Sequence, residues 1–107
     1  MKLSAEQIEA AVAALPGWAY DSEGGGGGGA LARSFRFRDF AQAFAFMTQV
    51  ALAAEKADHH PDWSNSWNRV DISLTTHSEG GVSRRDIDLA IAIDSIAASL
   101  ALPETAH

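Results

Sequence analysis

The chain has 107 residues, 47% hydrophobic and 21% charged, which is enough for one globular domain around one core. It contains no cysteine, which excludes disulfides, thiolate metal sites and a cysteine nucleophile and fits a reducing compartment. Its formal net charge of −6 opposes a phosphate backbone, so no direct nucleic-acid binding is expected. No apolar run reaches the length of a membrane span. The opening MKLSAEQIEAAV does not read as a secretion signal, because Glu6 and Glu9 interrupt its apolar residues. The expectation is a cytoplasmic protein with no membrane partner.

The first residues read as a helix. Ser4 and Gln7 have capping-box spacing, and Leu3 and Ile8 occupy the two positions of a hydrophobic staple. Ile8, Val12 and Leu15 recur at helical spacing, and Pro16-Gly17 stop the run. A hairpin follows, with strand candidates at 17–21 and 30–37. In the second, Leu31, Arg33, Phe35 and Phe37 share one face, while Ala32, Ser34 and Arg36 share the other. The six glycines 24–29 between them satisfy the GxGxxG pattern trivially. A strand follows rather than a helix, and there is no room for a dinucleotide-binding domain, so the tract reads as a flexible hairpin loop.

The second helix carries a broad apolar stripe of Phe40, Ala43, Phe44, Met47, Val50, Ala51 and Ala54, with Asp39 at its start, where a negative charge suits the helix dipole. Such a stripe suits a core or a subunit interface. The helix is expected to end near His60, because a residue before proline is pushed out of the α region. A short strand is expected around 62–64. Segment 67–77 alternates, with Val70, Ile72 and Leu74 on one side, and reads as a half-buried strand. After SEGG, Ser83 caps a third helix with Asp86 at its third position. Leu89, Ile93, Ile96 and Leu100 form its buried stripe, and Pro103 follows its end. The pattern predicts an α+β fold: a small antiparallel sheet with three helices packed on one face, in a single domain spanning 1–107. Its free sheet edges suit closure by dimerisation.

The stretch EKADHHPDW (55–63) holds the residues most suited to chemistry. His59 and His60 stand at a helix end, before Pro61, and His77 stands at a strand end; His107 is terminal. Histidine titrates at about 6.5 and exchanges protons near neutrality, so this trio could give a proton to one point of a ligand and take one from another. Helical neighbours point about 100° apart and do not converge readily on one ion. No HxH, HxxxH or HExxH spacing is present, so no metal is expected. No serine lies in a GxSxG elbow. Trp18, Trp63 and Trp67 could serve as core packing or as a flat wall for a planar ligand. Composition and pattern end at a small α+β domain with a histidine-rich, aromatic-lined pocket.

The segment FRDFAQAFAFMTQVALAAEKADHHPDWSNSWNRVDISLTTH, followed by SRRDIDLA, closely resembles the pterin-4a-carbinolamine dehydratases. The resemblance covers residues 18–100. It rests on Glu55, His59-His60-Pro61, Trp63, the aromatic Trp67, Val70, Thr76-His77 and Asp86. It implies a four-stranded antiparallel sheet with helices on one side, and a homodimer or homotetramer. It also implies a reaction, the loss of water from 4a-hydroxytetrahydrobiopterin or a related 4a-hydroxytetrahydropterin, without metal or redox cofactor. By the same resemblance His59, His60 and His77 form the acid/base set, with His60 the principal member. Asp86 would orient or charge-stabilise a histidine, and Glu55 would support the pair from one turn back. Asp58, Pro61, Thr75, Thr76 and Ser78 would line the pterin site, and Trp18 would wall or stack on the ring. Members in animals also act as dimerisation cofactors for a transcription factor, so an interaction module is the competing reading. The glycine tract and SEGGVS (78–83) depart from the family's usual pattern.

Overall fold

The structure, a computed structural model, describes residues 1–101; Pro103 and His107 lie outside the described residues. Seven main elements follow in chain order: α1 (Ala5–Val12), β1 (Ala19–Asp21), β2 (Ala30–Arg36), α2 (Phe40–Ala57), β3 (Asp62–Ser66), β4 (Arg69–Leu74) and α3 (Arg84–Ala101). The strands form one antiparallel sheet in the order β1-β2-β4-β3. The α+β architecture expected from the pattern is therefore present, and the strand foreseen around 62–64 is β3.

Local chemistry explains the element ends. At α1 the Ser4 side chain accepts from Gln7 N–H at 3.1 Å, while Gln7 Oε1 accepts from Ser4 N–H at 2.8 Å, which completes the capping box. The helix stops at Val12 rather than running on to Pro16. Ala14 and Leu15 bond three residues back instead of four, which tightens the last turn and still buries Leu15. At α2 Asp39 accepts from Gln42 N–H at 2.8 Å. β3 and β4 join through Trp67 and Asn68. Trp67 has φ +51, so the strand expected from residue 67 begins at Arg69.

Burial alternates along the paired strands. Leu31, Phe35, Val70, Ile72 and Leu74 are buried toward the helices, while Ser34, Arg36, Arg69 and Ser66 are exposed on the open face. Ile8 from α1, Ala43, Phe46 and Val50 from α2, and Leu89 and Ile93 from α3 complete the core. Arg33, on the inner face but near the rim, lies 4.3 Å over the Phe35 ring and bonds Asp94 of α3 at 3.0 Å.

Ala43, Val50 and Ala54 of the stripe expected on α2 are buried and Met47 packs on the core, but the stripe's aromatic edge differs. Phe46 is fully buried, whereas Phe40 and Phe44 are 50% and 57% exposed and Ala51 faces outward. This helix is apolar on most of its circumference, so spacing alone selects no single face. Phe46 fills the core between Phe35 and Phe37, at centroid distances of 4.9 and 4.7 Å.

Candidate active site

The end of α2 places the two adjacent histidines. Asp58 adopts the left-handed conformation (φ 53, ψ 43), which turns the chain out of the helix at Ala57. Asp58 N–H reaches Glu55 O at 3.1 Å and His59 N–H reaches Ala54 O at 3.0 Å, the two bonds of a Schellman motif. The helix thus ends before the position that Pro61 alone would require, and neither histidine is helical. One points inward and the other outward: His59 is buried, and the His60 side chain is 59% exposed.

His59 faces a buried carboxylate. Its Nε2 lies 2.5 Å from Asp86 Oδ1, and Asp86 is fully buried at the start of α3. Asp86 Oδ2 also accepts the Ser83 backbone N–H at 2.9 Å and the Thr76 hydroxyl at 2.8 Å. The single Thr76 proton is committed there, so Ser83 Oγ donates to Thr76 Oγ1 across 2.7 Å. Ser83 Oγ in turn accepts Arg85 N–H at 3.2 Å, which makes Ser83 and Asp86 the cap expected for this helix. A carboxylate that accepts on every side assigns the proton to His59 Nε2 and leaves Nδ1 as the other ring nitrogen. No hydrogen bond to Nδ1 occurs among the described residues, nor is any buried polar side-chain atom left unsatisfied there, so Nδ1 is the open nitrogen.

His60 has a different partner. Its Nε2 lies 2.9 Å from Glu55 Oε1, with both side chains largely in solvent. His77 begins a 3₁₀ turn (His77–Glu79) just past β4, beyond the strand that had been expected to contain it. The turn is closed by Thr76 N–H to Gly81 O at 3.0 Å and by Gly80 N–H to His77 O at 3.0 Å.

These segments border one cleft of about 330 Å³, at the small end of ligand-sized pockets. Eight of the eleven residues expected at the site line it: Asp58, His59, His60, Pro61, Thr75, Thr76, His77 and Ser78. Asp86 stands behind His59, and Glu55 behind His60. Trp18 is placed elsewhere. It is buried in the core, edge-on to Phe35, with its indole N–H given to Asp94 Oδ1 at 2.8 Å. Trp63 packs half-buried against the core and Trp67 is exposed on a hairpin tip, so no tryptophan lines this cleft.

Two lining residues, Asp62 and Arg85, escaped the reading of the sequence. Arg85 Nη2 donates to Asp58 O at 2.5 Å and to Ala57 O at 3.3 Å. It satisfies carbonyls left open where α2 ends and brings a positive charge to the rim. In sequence it resembled an ordinary solvated helix charge; the available signal was an Asp-His pair at a helix end, whose carbonyls need a donor.

A larger hollow of about 580 Å³ lies on the open face of the sheet, among Ala32, Ser34, Ser64, Asp71 and Ser73. It holds no histidine, whereas the smaller cleft brings three together. Among the described residues no three His, Asp or Glu side chains converge as metal ligands do.

The family model for pterin 4 alpha carbinolamine dehydratase matches residues 1–96. The chain belongs to this family. A provisionally named pterin-4-alpha-carbinolamine dehydratase of Rhizorhabdus wittichii is 58% identical over 95 residues, covering 89% of this chain and 94% of its own. One from Bradyrhizobium sp. strain BTAi1 is 54% identical over 100 residues, covering 94% and 97%. The crystal structure of a transcriptional coactivator/pterin dehydratase from Brucella melitensis superimposes with a TM-score of 0.84 at 46% identity, over 91% of this chain and 99% of that one. A pterin dehydratase-like protein identified as a RuBisCO assembly factor in the alpha-carboxysome, at 22% identity and a TM-score of 0.63, shares the fold. The activity that membership supports is dehydration of a pterin carbinolamine, a hydro-lyase reaction.

Proposed function

We propose that the histidine cleft dehydrates 4a-hydroxytetrahydrobiopterin, or a related 4a-hydroxytetrahydropterin, to the quinonoid dihydropterin and water. The observation that carries this reading is the convergence of His59, His60 and His77 on one cleft, two of them backed by carboxylates. The reaction removes the C4a hydroxyl and the N5 proton and leaves a C4a=N5 double bond. The hydroxyl leaves as water once an acid protonates it, and the N5 lone pair fills the electron deficit at C4a. A base then takes the N5 proton, so the protein's proton count is unchanged over one turnover.

His60 is the principal proton carrier in this scheme, because it combines access to solvent with a carboxylate partner in Glu55. His59 and His77 serve the two faces of the C4a hydroxyl. Asp86 holds His59 with Nδ1 open and stabilises its imidazolium when it takes a proton, the role a buried carboxylate plays behind a catalytic histidine. Thr75 and Thr76 have their hydroxyl protons committed to Gly29 O and Asp86, so they offer lone pairs to a ring N–H. Asp58, Pro61 and Ser78 complete the binding rim. In the cell the reaction would return the pterin cofactor of aromatic amino-acid hydroxylases to its recycling route, in the cytoplasm.

A homodimer or homotetramer belongs to the same reading. Phe40, Phe44 and Leu52 are exposed on α2, and β1 and β3 are open sheet edges. These exposed apolar residues also favour the second reading, an interaction module without essential catalysis.

Purified protein treated with chelator and offered the 4a-carbinolamine distinguishes the readings by absorbance, with its mass in solution measured by sedimentation. Acceleration undiminished by chelator in a dimer or tetramer is the expected result. Activity that vanishes with chelator and returns with zinc would make it a metal enzyme. A rate no faster than the uncatalysed one would leave the interaction module.

A further inference from the structure

The glycine tract does not hang free. Gly27 N–H and Gly29 N–H both turn back onto Gly24 O, at 3.0 and 2.9 Å, and residues 25–27 form a 3₁₀ turn. The folded tract lies against the rim of the histidine cleft. Thr75 donates its hydroxyl to Gly29 O at 2.8 Å in a buried bond, and a Cβ on Gly25 would stand 2.9 Å from the same Thr75 oxygen.

Gly28 makes the closest approach. A Cβ there would lie 2.2 Å from Gly80 O and 2.9 Å from its carbonyl carbon. Its φ of −90 and ψ of −6 suit any L residue. Glycine is needed at this position for proximity alone, because two backbones meet there. Gly26 is the opposite case: φ is +78 and its surroundings are open. Gly80 is the residue whose N–H closes the turn on His77 O. Thr76, just before His77, is pinned to Asp86 and Ser83, so the turn 77–80 is bounded by these bonds at one end and by Gly28 against Gly80 at the other.

We propose that Gly28 is a positioning residue: by seating on Gly80 it fixes the turn that aims His77 into the cleft. The inference rests on the reading of His77 as a proton carrier. Relieving the overlap that Gly28→Ala creates requires a shift of about 1 Å, and a misplacement of that size can cost about 100-fold in rate.

Gly28→Ala and, as a control, Gly26→Asn, which suits a left-handed residue in open space, are compared for kcat and KM on the 4a-carbinolamine. Imidazole NMR signals of His59 and His77 are recorded for each. Gly28→Ala should lower kcat about 10- to 100-fold with KM changed less than threefold, and should move the His77 signals while those of His59 stay. Gly26→Asn should remain within twofold of wild type. An unmoved His77 signal overturns the proposal, as does a moved signal with unchanged kcat. If wild-type protein shows no dehydration, the function assigned to the cleft fails, while the NMR comparison still decides whether Gly28 sets His77. A further measurement needs no variant. Backbone order parameters of Gly28 and Gly80 in the wild-type protein should sit near the rigid value of about 0.85, and values below about 0.6 would overturn the contact.

Discussion

His59 and His60 are neighbours in the chain and opposites in the fold. His59 is buried against a fully buried Asp86, whose carboxylate also holds a hydroxyl and a backbone N–H. His60 meets Glu55 with side chains 59% and 79% exposed. Both histidines have a carboxylate at hydrogen-bond distance, yet the two pairs differ in kind. In the first, the carboxylate is fully buried and each donor depends on that shared acceptor. In the second, water competes for both partners and holds the pair only loosely. The buried pair is therefore part of what holds the start of α3 against the segment after α2, and the same carboxylate reaches Thr76 just past β4, whereas the exposed pair can exchange protons with solvent without disturbing the fold.

Breaking the buried side should have the largest effect. Asp86→Ala strands the His59 ring N–H, the Thr76 hydroxyl and the Ser83 N–H in a buried site. Each donor left unsatisfied in such a site costs about 1–3 kcal/mol, so urea unfolding should lose several kcal/mol of stability and activity should fall with it. A loss below about 1 kcal/mol would mean that the network is solvated and that the contrast between the two histidines is false.

His60→Ala tests the other side. Turnover should drop about 10²–10⁴-fold, the usual worth of one positioned proton carrier, with a smaller loss if His59 or His77 substitutes. Stability should stay within about 0.5 kcal/mol, because an exposed side chain leaves nothing buried unsatisfied. Near-wild-type turnover would transfer the principal role to another histidine, and a melt shifted as far as that of Asp86→Ala would erase the distinction between the pairs.

The sequence exposed these features unevenly, for reasons of locality. Ser4 with Gln7, Ser83 with Asp86, and the alternation of Val70, Ile72 and Leu74 are signals complete within a few residues, and each formed as expected. The face of α2 was legible only in part: Ala43, Val50 and Ala54 are buried as expected, but the phenylalanine that enters the core was not. Phe40, Phe44 and Phe46 are equally apolar, and only packing against Phe35 and Phe37 selects Phe46. At the site, residue types and spacing suggested proton transfer, and the family pattern supplied most of the residues that line the cleft, though not Asp62 or Arg85, and it put Trp18 there, which lies in the core. Neither revealed that Asp58 is left-handed, which ends the helix early and sends His59 inward and His60 outward. Arg85 and the seating of Gly28 on Gly80 were also hidden, because both join segments distant in the chain and leave no local pattern.

The smallest expected effect separates an orienting carboxylate from a reacting one. Glu55→Gln keeps an oxygen within reach of His60 Nε2 and removes only the charge. Exposed ion pairs are worth about 0.2–1 kcal/mol, a factor of about 1.4–5 in rate if the whole difference reaches the transition state. At about 0.01 M salt the variant should therefore turn over a few-fold more slowly than wild type. At about 1 M salt, where the screening length has fallen to about 3 Å, the two should converge. Convergence identifies Glu55 as a partner that tunes His60 through a screened field. A deficit as deep as that of His60→Ala, and indifferent to salt, would instead place the Glu55 carboxylate among the groups that move the proton. The exposed pair would then be a catalytic dyad, as tightly interdependent as the buried one.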